Sequence, residues 1–144
     1  MKVKIINKGN QPTPKYATIG SAGVDLRANL EGSLLLRPMQ RALIPTGLYI
    51  EIPMCYEAQV RPRSGLAIKK GLTVINAPGT IDSDYRGEIG VPIINLSTEE
   101  VIIEPGERIA QMVIAPYDRV EFVEVEELSK TERGVGGFGS TGIK

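Results

Sequence analysis

The 144-residue sequence contains no histidine. That absence excludes Ser-His-Asp and Cys-His nucleophilic catalysis, and with them any imidazole metal site. A general base must then be a carboxylate, a lysine or a tyrosine. A metal must take oxygen ligands, which points to magnesium or a similar hard cation. Cysteine is nearly absent too. Cys55 stands alone, so no internal disulfide can form, which fits a reducing compartment. Net charge is lacking, with 17 basic against 17 acidic residues, so a general electrostatic grip on nucleic acid is not expected, although a local basic pocket is compatible with the balance. No apolar run approaches the ~20 residues of a membrane span. The first residues, Met-Lys-Val-Lys-Ile-Ile-Asn, lack the long apolar core of a secretion signal. The expectation is a soluble, cytoplasmic protein with one domain's worth of core.

What is present is a series of short strand-like runs. They fall at 3–6, 24–28, 34–36, 41–46, 48–52, 56–60, 88–96, 101–103 and 108–115, with a further alternating run at 120–125 that reads as a half-exposed edge strand. Pro12 and Pro14 mark an extended connector, Gly47 and Pro53 punctuate two strands, and Pro105-Gly106 marks a turn. Turn signals about every ten residues predict an all-β sandwich or barrel rather than alternating βα units. Within 24–28, Val24, Leu26 and Ala28 alternate with Asp25 and Arg27, which puts Asp25 on the polar face.

Polar residues gather where the strands are interrupted. The stretch Asn-Ala-Pro-Gly-Thr-Ile-Asp-Ser-Asp-Tyr-Arg-Gly-Glu, 76–88, lies between two apolar runs and reads as a hairpin. Pro78-Gly79 fits the centre of a type II turn. Its charges suit either a solvated surface or a functional loop, and the sequence pattern does not choose between Asp82 and Asp84 as a base, although Asp82 follows apolar Ile81. Arg61-Pro-Arg-Ser-Gly65 precedes the one short helix expected in this part of the chain, 66–70, with Ser64 as N-cap and Gly71 beyond its C-terminus. Free amides beside Arg63 and a serine hydroxyl suit an anion; a capped turn with a solvated arginine is the plainer alternative. Gln111 sits in a mostly apolar strand and needs a hydrogen-bond partner, since an unpaired buried amide costs roughly 1–3 kcal/mol. The glycine-rich end, 133–142, surrounds Phe138, Arg133 and two hydroxyls. It reads either as a mobile tail or as a lid that orders over a nucleotide.

Five motifs carry a resemblance: Ala22-Gly-Val-Asp-Leu26, Pro62-Arg-Ser-Gly65, Gly79-Thr-Ile-Asp-Ser-Asp-Tyr-Arg-Gly87, Gly106-Glu-Arg-Ile-Ala-Gln111 and Arg133-Gly-Val-Gly-Gly-Phe-Gly-Ser-Thr-Gly142. In this order they closely resemble the homotrimeric dUTP diphosphatases, from Ala22 to Gly142. The departures are mild, such as Thr80 where the family often carries a branched aliphatic residue. The resemblance implies a jelly-roll-like β fold over 1–128, a glycine-rich arm over 129–144 and three active sites between subunits. It implies hydrolysis of dUTP to dUMP and pyrophosphate, with Asp82 activating the water that attacks the α-phosphorus. Asp25 would hold Mg2+ through its waters. Arg63, Ser64, Gly65 and Gln111 would hold the phosphate chain, and Arg133, Gly139, Ser140 and Thr141 would close over it. Asn76, Thr80 and Ile81 would read uracil, Tyr85 would lie against the deoxyribose, and Phe138 would stack on the base. Two rivals share the scaffold: a dCTP deaminase or bifunctional relative, and a non-catalytic nucleotide-binding module.

Overall fold

A computed structural model describes residues 1–140 and 142. Eleven strands and one helix follow one another among the described residues: β1 (Lys4–Asn7), β2 (Gly23–Arg27), β3 (Leu34–Leu36), β4 (Arg41–Pro45), β5 (Leu48–Glu51), β6 (Tyr56–Arg61), α1 (Ser64–Lys70), β7 (Leu72–Val74), β8 (Gly79–Ile81), β9 (Gly90–Asn95), β10 (Val101–Ile103) and β11 (Arg108–Pro116). They form a jelly-roll-like set of sheets, ordered β2-β11-β6-β8, β4-β9-β7, β1-β5 and β10-β3, and the paired strands run antiparallel. One side of each sheet packs on a shared aliphatic core. Leu26, Leu36, Ile44, Val60, Leu72, Val91, Ile93 and Ile109 all lie in it, and fully burying each such side chain contributes about 1.5–3 kcal/mol. Alternation along the strands explains the selection. In β2, for example, Leu26 is fully buried while Asp25 and Arg27 on either side stay partly exposed.

The segment between β7 and β9 is an interrupted hairpin. β7 pairs β9, but between them the chain crosses to the other sheet, where β8 pairs β6. Buried Thr46 secures the return. Its hydroxyl donates to the Ile89 carbonyl at 2.7 Å and accepts from the Leu48 amide at 3.2 Å.

Three local expectations are corrected. The Ala77–Pro78 peptide is cis, and Gly79 is not among the glycines with positive φ, so Pro78-Gly79 is not the centre of a type II turn. Gly79 is instead extended opposite Val60, where a Cβ would press on Asn76 Nδ2 at 3.2 Å, so the small residue suits close approach rather than turn geometry. Ser64 is the first residue of α1 rather than its N-cap, which is Arg63 with no side-chain cap bond. Gly71 ends α1 in the left-handed conformation with φ +64°. The alternating run at 120–125 forms no strand among the described residues; Val120, Phe122, Val123 and Val125 are exposed. Strand propensity needs a partner edge, and the described residues pair none with that run.

Candidate active site

The four-stranded sheet gathers the polar residues on its outer side. Asp25 of β2 lies opposite Gln111 of β11, and Gln111 lies opposite Arg61 of β6. Directly opposed residues share a face, so this row juxtaposes two of the five motifs and ends at Arg61, the residue before a third. Arg63, just past β6, turns back onto it and its Nε donates to Asp25 Oδ1 at 2.8 Å. Arg108 Nη1 donates to the other carboxylate oxygen at 3.2 Å. Gln111 has found its partner: its Nε2 donates to the Pro62 carbonyl at 2.9 Å, which ties β11 to the turn carrying Arg63. A Cβ at Gly23 would stand 3.0 Å from Gln111 Oε1, so the small residue leaves room for that amide. Ser64 and Gly65 open α1 at the surface; a Cβ on Gly65 would meet nothing within 4 Å, so packing within the chain does not demand this glycine. The first amides of a helix lack intrahelical partners. The cluster therefore presents two guanidiniums, a hydroxyl and free amides around one carboxylate, which suits a polyphosphate.

The same cluster can be tested for a divalent cation. Among the described residues no group of three or more Asp, Glu, Cys or His side chains converges. An all-protein cage is therefore not offered. Magnesium, however, commonly keeps several waters and needs one or two carboxylates plus substrate phosphates. Asp25, partly exposed beside Arg63, fits that looser arrangement.

The second concentration of polar residues is a hollow of ≈ 180 Å³ lined by Thr80, Ile81, Asp82, Tyr85, Ile89 and Gly90. Tyr85 is placed by a turn, its amide donating to the Asp82 carbonyl at 3.2 Å, and by its hydroxyl, which donates to the Glu88 carbonyl at 3.0 Å. Gly87 is necessary for this, because a Cβ there would collide with the Tyr85 ring. Glu88 in turn accepts from the Gly47 amide at 2.7 Å, fixing the loop to the β4–β5 turn. Asp82 lines the hollow and Asp84 does not. Asp82 is exposed, and it forms no ion pair among the described residues. Asn76 lies against Gly79 and does not line the hollow. Larger hollows, of ≈ 370 Å³ on β1–β5 and ≈ 500 Å³ beside α1, lack both clusters' acids and arginines at 25, 63, 82 and 108, so size alone does not mark the chemistry.

The two concentrations do not meet within one chain. β8 runs antiparallel to β6, with Ile81 opposite Ala58. Asp82 therefore leaves β8 at the far end of β6 from Arg63, and the stretch from Ala58 to Arg63 spans roughly 16 Å when extended. Among the described residues, the arm's hydrogen bonds stay within the arm. Arg133 Nε donates to the Gly136 carbonyl at 2.8 Å, and the Ser140 amide to the Gly137 carbonyl at 3.1 Å. Phe138 and Gly139 are exposed and adopt positive φ, +48° and +89°. Thr141 lies outside the described residues. Reading the sequence missed Arg108. A signal was available: Ile109 and Ala110 are consecutive apolar residues that break the period of two just before Gln111.

Fold and site together define a jelly-roll-like β protein with an arginine–aspartate cluster at one end of a sheet and a small carboxylate-bearing hollow at the other. A family model described as dUTPase matches residues 9–142. The chain is 62% identical over 142 residues to the deoxyuridine 5'-triphosphate nucleotidohydrolase of Finegoldia magna, covering 99% of each chain. It is 57% identical over 142 residues to the protein of the same name from Fusobacterium nucleatum, covering 99% of this chain and 97% of that one. Among solved structures, a Staphylococcus bacteriophage 80alpha dUTPase mutant with dUpNHpp superposes with a TM-score of 0.90 at 28% identity, covering 99% of both chains. The chain belongs to the dUTPase family.

Proposed function

We propose that this protein hydrolyses dUTP to dUMP and pyrophosphate, which keeps uracil out of DNA and supplies dUMP for thymidylate synthesis. The observation that carries the reading is the doubly held Asp25 beside Arg63 and Gln111, in a chain of the dUTPase family whose separate hollow offers Asp82 and Tyr85. Arg63, Ser64, Gly65 and Gln111 bind the phosphate chain. Asp82 takes a proton from the water that attacks the α-phosphorus, a role open to a carboxylate in a chain without histidine. Asp25 would hold magnesium, and the cation, when bound, would supply positive charge that offsets the phosphates. Asn76, Thr80 and Ile81 read uracil, since a site built to pair hydrogen bonds rejects a base that leaves them unpaired. Tyr85 packs against deoxyribose and leaves no room for a 2′-hydroxyl.

The working unit is a homotrimer. Two observations support this: the Arg63 and Asp82 groups sit at opposite ends of β6, and the run at 120–125 exposes alternating apolar residues that no edge of its own protomer covers. A β domain over 1–128 then carries an arm over 129–144 that closes on a site built from its neighbours. There Phe138 stacks on the base, while Arg133, Gly139, Ser140 and Thr141 meet the phosphates and exclude water. No helix among the described residues is long and apolar enough to cross a membrane; with one unpaired cysteine, the cytoplasm is the compartment that fits.

The test is pyrophosphate release from dUTP, dTTP, dCTP and UTP, with magnesium and with EDTA. Magnesium-dependent release from dUTP alone is expected. Ammonia from dCTP would instead make the protein a deaminase of the same fold, and tight dUTP binding without turnover would make it a nucleotide-binding module.

A further inference from the structure

Strict alternation along β11 would put Arg108 on the wrong side of the sheet. Gln111 lies opposite Asp25, and Ala110 lies opposite buried Leu26. Continued pairing would set Ile109 opposite Arg27 and turn Arg108 into the core. Instead the register shifts between Arg108 and Ala110, and Arg108 is the residue opposite Arg27. Ile109 is the extra residue, packed inward at 1% exposure next to fully buried Ala110. This is a β-bulge, a device that re-aims side chains. Its product is the contact between Arg108 Nη1 and Asp25 Oδ2 at 3.2 Å.

The consequence lies in how the charges are shared. Asp25 accepts from Arg63 on one oxygen and from Arg108 on the other, and Arg63 Nη1 also reaches the Arg108 carbonyl at 3.5 Å. The Arg63 side chain is 25% exposed and that of Arg108 51%, so Arg63 is the more enclosed of the two partners. Two guanidiniums on one carboxylate leave the group with one positive charge in excess. If Arg63 were the only partner, it could turn to a phosphate only by abandoning Asp25. We propose that Arg108 is a positioning residue for the site. It keeps the Asp25 carboxylate oriented toward the cation while Arg63 exchanges that carboxylate for the phosphate chain. This rests on the dUTPase reading above and adds to it a division of labour between two arginines.

The test is calorimetric binding of the non-hydrolysable analogue dUpNHpp in magnesium and in EDTA. The readout is the gain in affinity that magnesium brings. In Arg108→Met this gain falls by about tenfold or more, the usual cost of losing an outer-shell partner, while binding in EDTA changes much less. Arg108→Lys, with the charge but not the planar fork, recovers part of it. In Asp25→Asn the gain is already lost, and adding Arg108→Met lowers it no further, because the arginine acts through the carboxylate. A full magnesium gain in Arg108→Met, or independent losses in the double variant, overturns the inference and leaves the dUTPase reading intact. Wild-type protein that does not bind the analogue overturns both.

Discussion

The two ends of the β2-β11-β6-β8 sheet are built on opposite plans. At the Arg63 end the charged groups are already bonded to one another: Asp25 to two arginines, Gln111 to the Pro62 carbonyl. At the other end Asp82 stands exposed at the rim of a small hollow, and the bonds nearby fix the loop, through Tyr85, Glu88 and Thr46, rather than the carboxylate itself. The difference suits the two tasks proposed above. Holding a polyanion benefits from donors gathered beforehand around a carboxylate, so that Arg63 has only to exchange one anion for another when charge arrives. Abstracting a proton from water needs a carboxylate whose lone pairs are uncommitted. An ion-paired Asp82 would be a poorer base, and an unpaired, half-buried Asp25 would be costly.

Breaking the uncommitted end gives the largest effect. Asp82→Asn keeps shape and removes basicity, so steady-state turnover of dUTP should fall roughly 10²–10⁴-fold, while dUpNHpp affinity measured by calorimetry stays near wild type. Equal loss of binding would show that Asp82 holds substrate rather than acting as the base. The arm is the next step down. Removing residues 133–144 should leave sedimentation and thermal unfolding unchanged but cut turnover on the order of 10²-fold, because the closing groups that orient the phosphates are gone. Normal turnover in the truncated protein would end the lid role. Thr46→Val removes a buried hydroxyl with two bonds, to Ile89 and Leu48, and leaves those backbone groups without that partner. Urea denaturation should register a loss of about 1–3 kcal/mol. An unchanged midpoint would mean that other contacts carry the loop.

The smallest effect sharpens the comparison from outside the site. Lys4–Glu51 is also an ion pair, at 2.7 Å, but its side chains are 79% and 45% exposed. The hydrogen bond from Lys4, followed by its charge, holds the Glu51 carboxyl below its usual range. A depressed carboxylate pKa favours the folded state above the unfolded pKa, and that benefit is lost as pH falls through the folded pKa. Lys4→Met should therefore return Glu51 to the ordinary range in an NMR titration, with no detectable change in unfolding midpoint near neutral pH, since exposed pairs contribute little. A clear drop in midpoint would show that exposure is a poor guide to the worth of these pairs.

Much of the strand order was legible because period-two patterning is local. Leu34–Leu36 and Val101–Ile103 fall where apolar residues cluster between turn residues, and the Pro105-Gly106 turn appears with Gly106 at φ +77° and a 3.0 Å bond from Glu107 to Glu104. The errors arose where a distant partner overrides local preference. Pro78-Gly79 looks like a turn centre, yet Gly79 is drawn into pairing with Val60 of β6. The run at 120–125 has strand composition and pairs with no edge among the described residues. Arg108 was overlooked because an inserted residue reverses the facing of everything before it, and alternation read back from Gln111 gives the opposite answer.

Composition and local patterning determined that any base here is not histidine, that any metal is held by oxygen, and that the architecture is β. Those conclusions depend on residue types and short-range periodicity, which the chain carries in one dimension. Tertiary structure decided which polar residues are neighbours. It set Asp25 between two arginines that follow it by 38 and 83 positions, and it sent Asp82 to the opposite end of the same sheet. Strand register makes those choices, and register is fixed by burying one face of every strand at once, a constraint that no single segment can express.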